Sequence, residues 1–338
     1  MIIRKKKAMQ PKRVLVTTSD YLPQYGGLTT YTLNLVKALE QIGFETEVFH
    51  WKNIGDIKGY RISDDIDLVF NVHMMASYFG TWDKKLNVNI IHGSEILFYS
   101  PNPFKRLYKK LFKKKILKAL EDSRMNIFIS EFTFKKLKSL RFSEDYSRDY
   151  ILHNCIDDSE GEYIENDIND EIVFSFFARN VPHKNPRGVS KYLENLKESL
   201  GKEVRLITNV DAFKDVNFKT SLITNLSEEK KELSYKEAHF NILFSLDHSH
   251  LGFFEGFGLT CLEAGKYGVP SLVSHFGGLS ENVHDGYNGY VIDLESPRFS
   301  IMERYNDLRK FTYQHTMDSH GLEYFKRFLK AHLGFKNE

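Results

Sequence analysis

Short apolar runs alternate with helical patterns along this chain, and that alternation constrains the fold before any single residue does. Residues 14–17, 45–49, 66–72, 88–91, 126–129 and 150–152 read as strands of a first domain. Between the first two, residues 30–42 carry Tyr31, Leu35, Leu39 and Ile42 on one helical face and stop at Gly43. A second strand set follows at 172–177, 204–208, 240–245, 271–274 and 290–293, with helices expected at 186–200, 227–238, 258–267 and beyond Pro297. Strand, helix, strand in that order argues for parallel sheets built of βαβ units. Residues 157–171 are acidic, poor in apolar side chains and contain Gly161, which marks a linker. The expectation is an α/β protein with two doubly wound, Rossmann-like domains facing across a cleft, 1–156 and 157–313. A C-terminal helix, 314–338, packs back on the first. In such sheets ligands bind at the carboxyl ends of the strands.

With 338 residues the chain is long enough for two cores. A formal charge of +2 excludes a global field for nucleic acid. Cys155 and Cys261 lie far apart in apolar surroundings, as buried thiols of a reducing compartment do. The apolar run behind the basic residues 1–13 is too short for a signal-peptide core, and no stretch has membrane-spanning length. A cytoplasmic protein is expected.

The richest local signal is Phe254-Glu255-Gly256-Phe257-Gly258-Leu259-Thr260-Cys261-Leu262-Glu263-Ala264. A glycine-bracketed turn opens a helix here, and Gly268-Val269-Pro270 stops it. Unpaired N–H groups and the positive dipole end of a helix receive an anion without a side-chain cation. Gly256 and Gly258 allow the backbone to approach that anion closely. Glu255 stands before the helix and Glu263 projects from its second turn toward the same mouth. Two carboxylate acceptors flanking a phosphate cradle describe a site for a sugar nucleotide.

This segment resembles the two-glutamate motif of family 4 glycosyltransferases, retaining enzymes of the GT-B fold. Other pieces follow in the order that family requires. Gly26-Gly27 lies between the first strand and its helix, and His92-Gly93-Ser94-Glu95 follows a strand. Residues 151–157 (Ile-Leu-His-Asn-Cys-Ile-Asp) are similar to the family's interdomain strand end, with Asn154-Cys155 in place of Asn-Gly. Arg179 and Lys184 are spaced like its phosphate-binding pair, and Gly277-Gly278-Leu279-Ser280-Glu281 and Asp285-Gly286-Tyr287-Asn288-Gly289 complete the series. The similarity spans residues 12–293, and its specificity lies in the order of the motifs.

The resemblance implies a nucleotide-sugar donor, UDP- or GDP-linked, as co-substrate with no further cofactor. Donor-binding residues are then Gly26, Gly27, Arg179, Lys184, Glu255, Gly256, Phe257, Gly258, Leu259, Thr260 and Glu263. His92, Arg179, Lys184 and Glu255 are the catalytic candidates. By resemblance, Glu263 accepts both ribose hydroxyls, Glu255 grips a sugar hydroxyl, and His92 lies beside the transferred sugar. A forked guanidinium and a point charge both suit phosphate. The implied route is front-face displacement with retention, not the paired-carboxylate route of glycosidases. No metal is expected: Asp64-Asp65-Ile66-Asp67 precedes its strand, and Asp247, His248 and His250 have no third, distant ligand. Two departures stand out. Residues 246–254 form an insertion before the motif, and Thr208-Asn209-Val210-Asp211 replaces a glycine-rich turn tied to base recognition.

From Pro101 to Lys118 there are eight basic residues and no acidic one, with Phe104, Leu107, Tyr108, Leu111, Phe112 and Leu117 interleaved. A basic amphipathic helix with aromatics reads as an element that meets an anionic membrane surface, here through Lys109, Lys110, Lys113 and Lys114. Because it lies in the first domain, which the resemblance implies holds the acceptor, the acceptor is expected to be a saccharide or lipid-linked saccharide of cell-envelope polysaccharide, lipopolysaccharide or glycolipid synthesis. The protein would then sit on the inner face of the cell membrane as a peripheral protein. Two alternatives stay open, a nucleotide-sugar epimerase of the same fold and a non-catalytic binding protein. A dinucleotide oxidoreductase would need Gly-x-Gly-x-x-Gly after the first strand, where only Gly26-Gly27 is present.

Overall fold

The computed structural model describes residues 12–333 apart from 24–25, 94, 96, 98–99, 101 and 141–144, with the side chains of residues 105 and 160 also left aside. Ser94, Pro101, most of the basic N-terminal run and residues 334–338 of the expected last helix lie outside the described residues. The first half contains β1 (Arg13–Thr18), α1 (Gly27–Gln41), β2 (Glu45–His50), α2 (Ile54–Gly59), β3 (Ile66–Asn71), α3 (Met75–Phe79), β4 (Asn87–Ile91), α4 (Pro103–Asp122), β5 (Met125–Phe128), α5 (Glu131–Lys138) and β6 (Asp149–Ile151). Its strands form one parallel sheet in the order β2-β1-β3-β4-β5-β6.

The second half contains β7 (Glu171–Phe176), α6 (Pro186–Leu200), β8 (Glu203–Thr208), β9 (Lys219–Leu222), α7 (Glu228–Glu237), β10 (Phe240–Leu243), α8 (Leu259–Gly265), β11 (Ser271–Ser274), α9 (Leu279–Asn282), β12 (Gly289–Ile292), α10 (Tyr305–His320) and α11 (Leu322–His332). Its parallel order is β12-β11-β10-β7-β8-β9. Two doubly wound sheets are what the alternating pattern predicts. The edge strand β9 goes beyond it, since Lys-Thr-Ser-Leu is mostly exposed and carries no apolar run.

Local chemistry explains the elements. Val14, Leu15 and Val16 expose nothing on either face of β1, as a central parallel strand requires. Asn185 begins α6 by accepting the Gly188 N–H at 3.1 Å, Pro186 fits the first turn, and Gly201 closes the helix. A buried amide ladder crosses the first sheet. Asn71 donates to Asn87 and Asn89 at 3.0 and 3.2 Å, and Asn89 donates to Asn126 at 3.0 Å. Buried polar groups satisfied by one another in this way fix the register of β3, β4 and β5.

The helix expected from residue 314 is two helices, because the chain breaks at Gly321 between α10 and α11. Leu322, Phe325 and Leu329 of α11 bury into the core that contains Tyr31, Leu35 and Leu39 of α1. Truncating Phe325 to Ala would cost about 3–5 kcal/mol, the range for a buried aromatic. The two halves are also bridged directly. Glu281 of α9 accepts the backbone N–H groups of Glu131 and Phe132 at the start of α5, at 2.6 and 2.7 Å. A carboxylate is favoured there by the dipole of α5. Lys136 of α5 pairs with Asp247 at 3.2 Å.

Candidate active site

Two adjoining cavities of about 540 and 500 Å³ occupy the space between the sheets, at the loops after β1, β4, β7 and β10. Gly26, Gly27, Arg179, Glu255, Gly258 and Leu259 line both, so the two form one cleft. His92, Gly256 and Phe257 line the larger part, toward the first domain, and Lys184, Thr260 and Glu263 the smaller. All the sequence-predicted donor and catalytic residues therefore converge on this cleft.

The turn before α8 is built by close backbone approach. A Cβ on Gly256 would lie 2.5 Å from the His92 carbonyl oxygen, so any side chain there would push the two domains apart. Gly258 caps α8 at φ +83°, a left-handed conformation that glycine adopts without strain. The α8 start is thereby turned into the cleft, although the helix is seven residues long. Phe257 departs from its expected role. It is 1 % exposed, packs with the first-domain core and meets the His153 ring at 5.0 Å. It anchors the turn and presents little surface to a donor.

Arg179 and Lys184 follow β7, but the two cations are not equivalent. Lys184 donates to Glu255 Oε2, and Ser245 donates to the same oxygen at 3.3 Å. Burial alone would raise the Glu255 carboxyl, yet the Lys184 ammonium holds it below the usual range. Arg179 is exposed within the cleft and lines both parts. Its loop is held by Asn209, whose side chain accepts from the Ala178 N–H and donates to the Ala178 carbonyl, both at 3.1 Å. The residue that replaces a glycine-rich turn thus acts as a brace.

Glu263 is 8 % exposed, and both its oxygens are engaged by α7. Lys231 donates to one at 3.0 Å, and the Tyr235 hydroxyl to the other at 3.2 Å. The sequence reading missed Glu228, Lys231 and Tyr235. Their signal is their spacing on one face of an expected helix, which surface charges share.

The first-domain wall holds His92, His73, Asp20 and Glu95. Burial pushes His92 down to about 4, so its ring is neutral at pH 7, and its Nε2 has no hydrogen-bond partner among the described residues. Its backbone N–H is accepted by Glu95, and its ring meets Tyr31 edge-on at 4.8 Å. Burial also lowers His73, against the opposing pull of Glu95 and Asp20. Its Nδ1 accepts the Met75 N–H at 3.2 Å, which leaves the ring proton on Nε2. Glu95 closes the His92-Gly93-Ser94-Glu95 motif, whereas His73 and Asp20 carry no sequence signal beyond being polar residues after strands.

The insertion 246–254 folds around a short turn, Ser249–Leu251, and a bridge between His248 and Phe253. It delivers Phe254 to the cavity wall against the Phe132 ring at 5.1 Å. Asp247 bonds to Ser249 and Lys136. Among the described residues no group of three or more His, Cys, Asp and Glu is placed to hold a metal. Cys155 and Cys261 are buried free thiols, and burial pushes Cys261 up to about 12.

Along α4, Phe104, Leu107 and Leu111 are 83, 56 and 70 % exposed, whereas Ile116, Leu117 and Leu120 are buried and Tyr108 and Phe112 pack beneath. Lys110 and Lys114 are exposed on this helix and Lys109 and Lys113 half-buried. Lys109 is near enough to His73 to disfavour its charged form. Among the described residues no helix is long and apolar enough to cross a membrane.

Residues 212–299 match the family described as glycosyl transferases group 1. An uncharacterized glycosyltransferase of Methanocaldococcus jannaschii is 25 % identical, with 92 % of each chain covered. Among solved structures, sucrose-phosphate synthase of Thermosynechococcus elongatus superposes with a TM-score of 0.72 at 13 % identity, covering 95 % of this chain and 98 % of that one. HepE of Anabaena, in complex with UDP and glucose, gives 0.66 at 13 % identity, covering 95 % and 99 %. The architecture is the GT-B fold. Together the matches support a glycosyltransferase of group 1.

Proposed function

We propose that the protein is a retaining glycosyltransferase that moves a sugar from a UDP- or GDP-sugar to a saccharide or lipid-linked acceptor, without a metal. One observation carries the reading: Arg179, Lys184, Glu255, Glu263 and the α8 start all line a single cavity at the carboxyl end of the second sheet. HepE, which shares the fold, is seen with UDP, with UDP-glucose, and with UDP and glucose, which supports a nucleotide-sugar donor here.

In this reading the diphosphate lies on the Arg179 guanidinium, the Lys184 ammonium and the first backbone N–H groups of α8. As the bond from the anomeric carbon to the phosphate oxygen breaks, charge builds on that oxygen, where preorganised donors stabilise it most. The acceptor hydroxyl attacks from the same face and its proton passes to the departing phosphate. Glu263 holds the ribose and Glu255 a donor-sugar hydroxyl. The neutral His92 sits beside the sugar and adds no charge to compete for the leaving group. These cations supply the neutralisation that a metal gives elsewhere.

The acceptor enters from the first domain. The exposed stripe Phe104, Leu107 and Leu111, flanked by Lys110 and Lys114, suits an anionic membrane surface and hence a lipid-linked acceptor of envelope or glycolipid synthesis. Release of nucleoside diphosphate from UDP- and GDP-sugars tests the reading. Release from none of them contradicts it.

A further inference from the structure

A polar network outside the phosphate cradle joins α7 to α8. Lys231 Nζ donates to Glu263 Oε1 at 3.0 Å and to Glu228 Oε1 at 2.8 Å, while the Tyr235 hydroxyl donates to Glu263 Oε2 at 3.2 Å. Lys231 is 9 % exposed and Tyr235 1 %. Glu228, Lys231 and Glu263 all line the smaller cavity. Positions 228, 231 and 235 share one helical face, so a single face of α7 addresses a single side chain of α8.

Stability alone does not account for this arrangement. A buried ion pair stabilises little more than apolar side chains of the same volume, because desolvation offsets the attraction. Burial by itself would lower the Lys231 ammonium, but Glu263 and Glu228 together raise it, so the charge is kept. The geometric effect is larger. One donor on each oxygen removes the freedom of the Glu263 carboxylate to swing or rotate. A carboxylate accepts about four hydrogen bonds, so each oxygen keeps a lone pair. Two acceptors at a fixed separation match two neighbouring hydroxyls.

We propose that Lys231 is a positioning residue for donor selection: it fixes Glu263 so that the carboxylate accepts both hydroxyls of a ribose cis-diol, and the site thereby prefers ribonucleoside over deoxyribonucleoside diphosphates. The proposal rests on the reading of the cleft as a nucleotide-sugar site. A site built to bond a hydroxyl rejects the analogue that lacks it, because its own buried acceptor is left unpaired. A carboxylate free to turn bonds one hydroxyl or the other and loses that discrimination.

Calorimetric titration with UDP, GDP and their 2′-deoxy counterparts tests this without a known donor sugar or acceptor. The wild type should favour the ribose form of its nucleotide by about tenfold, the scale of one hydrogen bond to a charged acceptor. Lys231→Met should bring that ratio to within about twofold while still binding through the diphosphate cradle. Lys231→Arg should keep most of it, since a guanidinium also reaches two carboxylates. A merely structural role would weaken both forms alike, so an unchanged ratio in Lys231→Met overturns the proposal. If Lys231→Met does not fold, Lys231→Gln decides, because it keeps volume and a donor without the buried charge. Its ratio should fall between the two, and an unchanged ratio again overturns the proposal. Equal binding of ribose and deoxyribose forms by the wild type overturns it and leaves glycosyl transfer standing. Binding of neither nucleotide overturns the donor-site reading itself.

Discussion

Lys184 donates to Glu255 within the smaller cavity of the cleft, and the side chains are 16 and 15 % exposed. The cation proposed to meet the leaving phosphate is therefore also the partner of the carboxylate proposed to hold the sugar. Removing either leaves the other buried and uncompensated. Lys184→Ala should lower kcat by about a hundredfold or more, the scale for deleting one donor to a developing anion. Lys184→Met with Glu255→Gln should cost less than the two single changes added, because the pair is broken only once. Strict additivity in steady-state kinetics would contradict a coupled pair. Arg179→Lys should not restore activity, since a point charge does not reproduce a forked contact.

Activity should be unaffected by EDTA, because in the proposed site Arg179, Lys184 and the α8 start neutralise the diphosphate. Activity abolished by EDTA and restored by Mn²⁺ or Mg²⁺ would contradict this and direct attention to Asp247, His248 and His250.

Membrane contact should depend on both charge and the exposed stripe of α4. Replacing Lys109, Lys110, Lys113 and Lys114 with Gln should weaken sedimentation with anionic liposomes, each exposed cation contributing about 1 kcal/mol. Leu107→Ser with Leu111→Ser should weaken it further and leave the binding that remains more salt-sensitive. Unchanged sedimentation of both variants would reduce α4 to a solvated helix face.

Stability should fall with acid between pH 6.5 and 4. Burial pushes His92, His183 and His239 from the ordinary value of 6.5 down to about 4, and His320 to about 3. In that window the unfolded chain binds protons that the folded chain refuses, so stability rises with pH. It is fully present above 6.5 and is lost as pH falls toward 4. Thermal melts should show Tm dropping through this window, with a smaller drop in His320→Gln. A Tm unchanged from pH 7 to 4.5 would contradict the burial of these rings.

Much of the architecture was legible because parallel strands buried on both faces leave unbroken apolar runs, as Val14–Val16 do. Strand β9 was not, since an edge strand with exposed Lys219 and Thr220 has no such run to show. In the site, glycines and charged residues at fixed spacing announced the 254–263 turn and the Arg179–Lys184 pair. The partners of those residues were hidden. Lys231 looks like any helix lysine until α8 is packed against α7, and Asn209 looks like a turn residue until its amide meets Ala178. Phe257 reads as a cleft aromatic, and only the packing of the two domains reveals it as an anchor. Pairings across elements depend on the tertiary fold, and local spacing does not carry them.

The central claim is most directly tested by incubating the protein with a panel of UDP-, GDP- and ADP-sugars and an acceptor extract, and following nucleoside diphosphate release and the transferred sugar by NMR. The account predicts release from a UDP- or GDP-sugar and a product that retains the donor's anomeric configuration. Glu263→Gln should raise the donor KM with a smaller fall in kcat, because the ribose contact is present before and during reaction. An epimerised donor with no transfer, an inverted product, or turnover and donor affinity left intact by both Glu263→Gln and Lys184→Ala would contradict it.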